Sequence, residues 1–533
     1  MWTRSFAVLS LLVVIAGRPE AGAPSALPAT DEAMTHALNR LTFGPRPGDL
    51  ARVKAMGLQN WIDLQLSPSR VDDAALTARL ARLETLLLDS QTIQRDYAGP
   101  AMAERRKRQL ENPTSVSPDP AMPEMRAPRP PQDGVASTSG TRDVSNVQRK
   151  DRQVIADIEE AKLLRAVYSE RQLQEVLVDF WFNHFNVFAG KGATRNYLTE
   201  YEREAIRPYV LGNFRDMLDA TAKSPAMLFY LDNWQNVSAD SPSPRGAQPR
   251  PLRGAQRRAP GGRAEATPTS ADVSAEARSA KVEGARPQRG INENYARELM
   301  ELHTLGVDGG YTQQDIVNVA RAFTGWTITP RDGSGTKFVA RMHDDKAKTV
   351  LGHTIKAGGG ENDVAQVLDI LAAHPSTARY LAGKLAAQFV SDTPPAALVD
   401  RAAARFTATK GDLREVVRTI ITSPEFFSPE AYRVKVKTPL DFIASALRVT
   451  GADVHSALPL ARELRDMGMP LYFCQPPTGY DDTAATWVSA GALVSRMNFA
   501  IELSKNQVRG VRVALSEGDA MALKIGSPEF QRQ

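Results

Sequence analysis

Residues 291–326 constrain the fold of this chain most strongly, because they predict two helices joined by a tight turn. Asn292 is a favoured N-cap residue for the first helix. Gly306 tolerates the left-handed backbone that commonly ends a helix. Thr312, followed three residues later by Asp315, resembles a capping box at the start of the second helix, with Asp in place of Glu. Apolar residues then recur at helical spacing, so a helical hairpin is expected here.

The first of these helices has one strongly polar face. On a helical wheel, a sector of roughly 140° holds three carboxylates, an amide and a guanidinium: Glu293, Asn294, Arg297, Glu298 and Glu301. His303 falls among the apolar residues of the other face. Two interpretations stay open: an amphipathic helix with a solvated charged face, or a set of side chains that lines a polar cleft.

Long motifs in the chain carry a resemblance to a known family. They include residues 292–307, 311–316 and 320–326 in the hairpin, and the run FWFNHF at Phe180–Phe185. Shorter matches are Gly212–Asp216, Pro225–Met227, Tyr230–Asn233, His343–Asp345, Lys348–Gly352, Ser423–Phe426, Lys437–Pro439 and Pro476–Pro477. From about Ala33 to Asn506, apart from two inserts, the chain resembles the bacterial domain-of-unknown-function 1800 family. The resemblance implies a helical fold and a secreted or periplasmic location, and no settled activity.

Helical stripes recur along most of the chain, while sustained strand alternation does not. The expected fold is therefore mainly α: a single large multi-helix domain over residues 30–506, with a small β-hairpin near 338–355. Residues 507–533 are expected to form a C-terminal tail.

Two inserts are expected to interrupt the domain, at 101–150 and 236–290. Neither contains an aromatic residue, so neither can bury enough apolar surface to offset the entropy of ordering. The second is basic, with nine Arg and one Lys against four acidic residues from 241 to 290. It is read as a flexible loop, with contact to an anionic surface as the alternative. Its two ends are expected to stay close together.

The N-terminus has the features of a secretory signal peptide, predicted at residues 1–23. Arg4 precedes an apolar run of 11 residues, Phe6–Ala16, which is too short to span a bilayer. A small-residue cleavage site follows at Ala21–Ala23; a membrane anchor is the alternative interpretation. No later stretch has the length and apolarity of a transmembrane helix, so an integral membrane protein is not expected.

Several classes of site are excluded by the residues that are missing. Cys474 is the only cysteine, so the chain can form neither an internal disulfide nor a cysteine-based zinc site. The sequence contains neither an H-E-x-x-H zincin motif nor a G-x-S-x-G nucleophile elbow. The net charge of +5 is small, and the basic insert offers no aromatic rings for stacking, so nucleic acid is not an expected partner.

Family motifs and the helical wheel together suggest one candidate site. Glu298, His184 and His343 are predicted to meet in a polar pocket, surrounded by Asp344, Glu293, Asn294 and Arg297. Crowded carboxylates raise one another's pKa and a neighbouring cation lowers it, which suits acid–base catalysis. Four of these residues could alternatively bind a divalent metal: His184, Glu298, His343 and Asp344. The competing interpretation is a buried polar network that fixes helix packing.

Two functions remain open on this reading. The first is an exported acid–base or metal-assisted hydrolase or lyase that acts on an envelope or extracellular polymer, such as a polysaccharide. The second is a non-catalytic helical module that assembles with another exported protein. The resemblance suggests a class of partner, because genes of this family often lie beside genes for exported proteins similar to alkaline phosphatases and sulfatases.

The order of basic, apolar and small residues at the N-terminus predicts removal of the leader. The mature protein should begin between residues 17 and 30. N-terminal sequencing of the exported protein tests this expectation, and an intact Met1 would contradict it.

Overall fold

Helices account for most of the computed structural model, which describes residues 27–111, 140–241, 290–329, 335–513 and 519–533. The structure is 61% helical and 5% strand, which confirms the mainly α class. The predicted signal peptide lies outside the described residues. None of the described helices is both long and apolar enough to cross a bilayer.

The N-terminal half contains α1 to α11. Their bounds are α1 Asp31–Leu41, α2 Asp49–Met56, α3 Leu58–Gln65, α4 Ala74–Leu80, α5 Ser90–Ile93, α6 Gly99–Glu111, α7 Gly140–Tyr168, α8 Gln172–His184, α9 Leu198–Glu200, α10 Phe214–Ala222 and α11 Pro225–Tyr230. Helix α8 is central to the fold, because its apolar side chains Leu173, Leu177 and Trp181 are fully buried at helical spacing.

The C-terminal half contains α12 to α22. Their bounds are α12 Glu293–Glu301, α13 Gln313–Ala322, α14 Asn362–Ala373, α15 Pro375–Phe389, α16 Ala396–Ala408, α17 Leu413–Ile421, α18 Pro439–Val449, α19 Leu458–Asp466, α20 Ala484–Trp487, α21 Ala490–Ser504 and α22 Asp519–Gly526. The buried apolar side chains of both halves form one continuous core.

The predicted helical hairpin is present, and its local signals act as expected. Asn292 caps α12, its side chain accepting a hydrogen bond from the Tyr295 backbone N–H. Gly306 has a φ of +79° after the helix. Thr312 and Asp315 form a complete capping box at α13, each side chain accepting a hydrogen bond from the other's backbone N–H.

Strands occur as three two-stranded antiparallel sheets in the described residues. They pair β1 Trp326–Ile328 with β2 Thr336–Phe338, β3 Lys348–Val350 with β4 His353–Ile355, and β5 Asp453–Val454 with β6 Val511–Arg512. The predicted hairpin near 338–355 is thus shorter, at 348–355, and Phe338 pairs with Trp326 instead. Strands of two or three residues are too short to show alternation in a sequence.

The prediction of disorder over 101–150 is wrong at both ends of that segment. Helix α6 continues to Glu111, and α7 already begins at Gly140. Residues 101–111 consist only of Ala, Met, Glu, Arg, Lys, Gln and Leu, which are strong helix formers even without aromatic residues. Residues 112–139 lie outside the described part of the chain.

The ends of the second insert lie together, as expected. The Val237 backbone N–H donates to the Gly290 carbonyl at 3.3 Å, and the Asn292 N–H donates to Asn236 Oδ1 at 2.9 Å. Residues 242–289 are outside the described part, so the predicted disorder there stays a prediction.

The segment expected to be a C-terminal tail packs into the domain. Residues 507–533 contribute β6 and α22, and Met521 and Ile525 are buried. The Gln531 carbonyl accepts a hydrogen bond from the Lys437 N–H at 2.9 Å. Apolar residues on α22 cover part of α21, which explains why this segment is folded.

The capping box of α13 provides a test of local helix stability. Thr312→Ala removes the side-chain oxygen that accepts from the Asp315 N–H, and should lower the free energy of unfolding by about 1 kcal/mol. Thr312→Ser keeps that oxygen and should stay close to wild type in the same urea titration. Equal losses in both variants would show that the hydroxyl cap contributes nothing.

Candidate functional site

A cavity of about 420 Å³ lies between α8, the end of α15, the start of α18 and the loop of residues 469–487. Its walls combine acidic, cationic and aromatic side chains. The polar and aromatic lining residues are Phe43, Asp179, Phe180, Asn183, His184, Lys384, Gln388, Asp392, Lys435, Thr438, Asp441, Thr478, Tyr480, Asp481, Asp482, Thr483 and Trp487. We call this space the acidic cavity, because five of these side chains are aspartates.

Helix α8 supplies one wall of the acidic cavity from a single face. Val176, Asp179, Phe180 and Asn183 follow the spacing i, i+3, i+4 and i+7, so they project from the same side of the helix. Asp179 forms an ion pair with Lys162 of α7 at 2.6 Å. The opposite face of α8 packs into the core, and this packing fixes the wall in place.

The loop of residues 469–487 is attached to α8 through Asn183. The Asn183 side-chain amide donates to the Tyr480 carbonyl at 2.8 Å, and its oxygen accepts from the Tyr480 N–H at 2.7 Å. Asn186 donates to the carbonyls of Cys474 and Pro476. Two asparagines therefore satisfy loop backbone groups that have no secondary structure to pair with.

Lys435 joins three segments at the far side of the acidic cavity. Its ammonium lies 2.7 Å from Asp392 Oδ1 and 2.7 Å from Asp482 Oδ2. It also donates to the Asp482 carbonyl at 2.9 Å. Lys435 is buried, so these contacts compensate a charge that has little access to water.

Asp441 has the pKa of a group that can exchange protons near neutral pH. Burial, together with the nearby carboxylates of Asp179 and Asp482, raises its pKa to about 6, although hydrogen bonds from Thr438 oppose the rise. Burial also raises the pKa of Asp482. Crowded, desolvated carboxyl groups of this kind can hold a proton that an exposed aspartate would lose.

Two nitrogen groups complete the polar lining. Burial lowers the pKa of Lys384, whose ammonium has neither an ion pair nor a hydrogen bond to any described residue. Burial lowers the pKa of His184 well below its usual value, so this imidazole is neutral. His184 Nε2 lies 3.2 Å from the His303 carbonyl, a distance at which only the Nε2–H tautomer forms a hydrogen bond. Nδ1 is then a buried acceptor without a partner in the described residues.

His343 and Asp344 belong to a separate buried network. His343 Nε2 lies 3.2 Å from Asp363 Oδ2, and the Lys348 ammonium lies 2.6 Å from the same oxygen. Asp344 forms a two-pronged ion pair with Arg321, at 2.7 and 3.1 Å. None of these side chains lines the acidic cavity. Their contacts join α13, α14 and the sheet β3–β4, as expected for a network that fixes packing.

The remaining predicted site residues lie on α12 and are also absent from the cavity lining. Glu298 is half-buried, and burial together with Glu301 raises its pKa. Arg297 lies 3.2 Å from Glu301 and donates to Gln313. Glu293 accepts from the same Gln313 side chain at 2.7 Å, and Asn294 is exposed.

The structure thus separates the seven predicted residues into three settings, and only His184 lines the acidic cavity. Across the described residues, no group of three or more His, Cys, Asp or Glu side chains is arranged to hold a metal ion. His184, Glu298, His343 and Asp344 accordingly do not form a common ligand set. Their chemical roles stay predictions.

Sequence reasoning missed most of the residues that surround the cavity. Asp441, Lys384, Asp392 and Asp482 carry no motif that marks them as functional. Asp179 was the exception in principle, because it shares a helical face with Asn183, next to the FWFNHF motif. The polar face formed by Asp179 and Asn183, beside that motif, was the sequence signal that could have pointed to the cavity wall.

The chain matches the family described as "Protein of unknown function (DUF1800)" over residues 36–532. The chain belongs to this family. The match covers nearly the whole chain, including the segment 507–532 that had been expected to be a tail. The search of curated proteins and the search of solved structures found no match. The DUF1800 family therefore supplies no activity, and the cavity itself must carry the functional argument.

Close contact between Gly479 and α8 predicts a specific sensitivity of the loop. Gly479 and Gly468 both have positive φ, of +76° and +92°, but a Cβ on Gly479 would overlap Asn183, whereas one on Gly468 would meet nothing. Gly468→Ala should cost about 1 kcal/mol from backbone strain alone. Gly479→Ala should cost more and should speed amide hydrogen exchange across residues 469–487. Equal effects of the two substitutions would mean that the Asn183 contact does not hold the loop.

Proposed function

We propose that this DUF1800 protein is an exported hydrolase that cleaves a polysaccharide by acid–base catalysis in the acidic cavity. The observation that carries the proposal is Asp441, a carboxyl group with a pKa near 6 beside other carboxylates in a concave site. Pairs of carboxyl groups whose environments differ are the usual equipment for glycoside hydrolysis.

The different environments of Asp441 and Asp179 suit them to the roles of general acid and general base. Asp441, protonated, donates its proton to the glycosidic oxygen as the bond from that oxygen to the sugar carbon breaks. Asp179, charged in its ion pair with Lys162, takes a proton from the water whose oxygen bonds to the same carbon. The two transfers balance: one proton enters the leaving group, and one comes from water.

The other walls suit a polar ring with apolar faces. Tyr480 and Trp487 lie with their ring centroids 6.0 Å apart, and Phe180 lines the same space. Trp487 Nε1 and His184 Nδ1 are buried without hydrogen-bond partners among the described residues, so each could bond a substrate hydroxyl only after its neighbours shift to expose it. A volume of about 420 Å³ is within the range of small-molecule sites.

Lys384 adds a preference for an acidic polymer. Its ammonium lines the cavity and forms no ion pair with a described residue, although Asp482 and Asp481 at longer range partly oppose the lowering of its pKa. An anionic substituent on the sugar would supply an ion-pair partner and would offset the desolvation that lowers the Lys384 pKa. An acidic cell-envelope or extracellular polysaccharide fits this requirement, and it fits the secreted or periplasmic location that the N-terminal sequence predicts.

A second candidate function rests on a different observation. Helix α21 exposes Leu493, Val494, Met497 and Ile501 along one face, and Leu523 of α22 is exposed beside it. Contiguous exposed apolar side chains commonly mark protein interfaces. A non-catalytic module that assembles with an exported partner, such as one similar to alkaline phosphatases and sulfatases, would use this face.

Asp441→Asn tests the enzymatic proposal. The amide cannot donate the catalytic proton, so turnover in a screen of acidic polysaccharides, read as new reducing ends, should fall by at least about 100-fold. Wild-type turnover should decline as the pH rises through about 6, where Asp441 loses its proton. Asp466→Asn, a change at an exposed aspartate outside the cavity, is the matched control and should keep full activity.

The thermal stability of Asp441→Asn shows whether the variant loses activity because the catalytic proton is missing or because the protein unfolds. A raised pKa means that the folded state binds the Asp441 proton more tightly than the unfolded state, so its charged form destabilises the fold above about pH 6. Asp441→Asn should therefore raise the melting temperature at pH 7.5 and change it little at pH 4. An active Asp441→Asn variant would refute the acid role. A wild-type chain without activity on any polymer, yet bound through α21 to a partner, would favour the assembly module.

A further inference from the structure

A second cavity shares no lining residue with the acidic cavity, although both include residues from the 435–441 segment. Its volume is about 220 Å³, and its walls come from α1, the α1–α2 connection, residues 433–437, α18 and the C-terminal segment. The lining residues are Asn39, Pro45, Arg433, Lys437, Ser445, Val449, Lys524, Ser527, Glu529, Phe530 and Arg532. We call this space the basic cavity.

The charge of the basic cavity is strongly one-sided. Four of the lining residues are cationic, and Glu529 is the one acidic residue among them. Arg433, Lys524 and Arg532 are exposed, and no carboxylate in the described part of the chain forms an ion pair with them, although Glu529 and Arg433 interact at longer range. Unpaired cations that converge on a concave surface favour an anionic ligand.

Lys437 is a buried cationic side chain in the lining of the basic cavity. Only 3% of its surface is exposed, and its ammonium donates to Ser445 Oγ at 3.1 Å, with the Phe530 ring 4.0 Å away. The Ser445 hydroxyl in turn donates to the Phe442 carbonyl at 3.1 Å, so the serine oxygen is held as an acceptor for the lysine. An ammonium has three donors, and this one uses a single hydrogen bond.

Lys437 has no ion-pair partner among the described residues, and its pKa reflects this. Burial, with a contribution from Arg496, lowers its pKa to about 7, and Asp441 only partly opposes the shift. A bound anion would supply the missing opposite charge and would hold Lys437 in its protonated form. Asn39 adds a neutral donor at the same wall, whereas the Ser527 hydroxyl already donates to Glu529.

We propose that the basic cavity binds a tetrahedral oxyanion, phosphate or sulfate, either free or as the monoester of a small molecule. The three exposed cations provide attraction at the mouth, and Lys437 provides a charge-assisted hydrogen bond inside. This site does not depend on the hydrolase proposal, since it shares no lining residue with the acidic cavity.

Sulfate is the sharpest probe, because it does not titrate between pH 7 and 8.5 while Lys437 does. The groups around Lys437 are Arg433, Lys524 and Arg532 in the cavity, Arg496 and Asp441 beside it, and Glu529. Asp441, with a pKa near 6, is already charged over this range. Sulfate affinity of the full chain, measured by calorimetry at constant ionic strength, should fall by about tenfold between pH 7 and 8.5, as a charge-assisted contact is lost.

Proton uptake provides an independent readout. At pH 7.5 sulfate should bind with net uptake of protons, seen as a dependence of the observed heat on the ionisation enthalpy of the buffer. Inorganic phosphate and methyl phosphate, compared at pH 7, distinguish the two sources of the ligand. Tighter binding of phosphate assigns the site to the free anion, and tighter binding of methyl phosphate assigns it to an ester.

Substitutions locate the site. The double variant Lys524→Gln/Arg532→Gln changes exposed residues only and should weaken sulfate binding about tenfold, with Lys356→Gln as the control at an exposed lysine outside the cavity. Lys437→Met should weaken binding further and abolish the proton uptake. Absence of saturable sulfate binding, or equal affinity in the double variant and in wild type, would overturn the proposal whether or not Lys437→Met folds.

Discussion

The buried ammonium of Lys435 is the interaction on which the arrangement around the acidic cavity depends. It binds Asp392 at the end of α15 and Asp482 in the 469–487 loop, while its own backbone leads into α18. Loss of this charge would leave two partly buried carboxylates without an ion-pair partner, which destabilises the fold. Three segments far apart in the chain therefore meet because one cation has to be neutralised away from water.

The segment around Lys435 contributes side chains to both cavities. Lys435, Thr438 and Asp441 line the acidic cavity, whereas Lys437 lines the basic one. Asp441 and Lys437 also interact electrostatically: the carboxylate raises the pKa of the lysine. A change in the charge of Asp441 is thus felt at Lys437, because both groups are buried in low-dielectric protein.

A second buried network supports the same loop from beneath. Tyr472 donates to Glu202 at 2.6 Å, and Glu202 lies 3.1 Å from Arg207 and 3.4 Å from Arg165. Burial opposes the charge of Glu202, yet Lys162 and the two arginines lower its pKa to about 2. Lys162 also pairs with Asp179, so the network under the loop and the wall of the acidic cavity share a cation. Preorganisation of this kind is what a site needs to hold carboxyl groups in different protonation states.

The sequence alone determined the structural features that depend only on residues a few positions apart in the chain. The cap at Asn292, the capping box at Thr312 and the left-handed Gly306 follow from local geometry, and with them the mainly α class. It also pointed to His184, through the motif around it. Only the tertiary structure decided that His343 faces Asp363 and that Asp441 lies in the acidic cavity with Asp179.

Those pairings join residues tens to hundreds of positions apart, and no local rule specifies them. The energy of a buried charge depends on which distant side chains surround it. That information appears only when the helices pack.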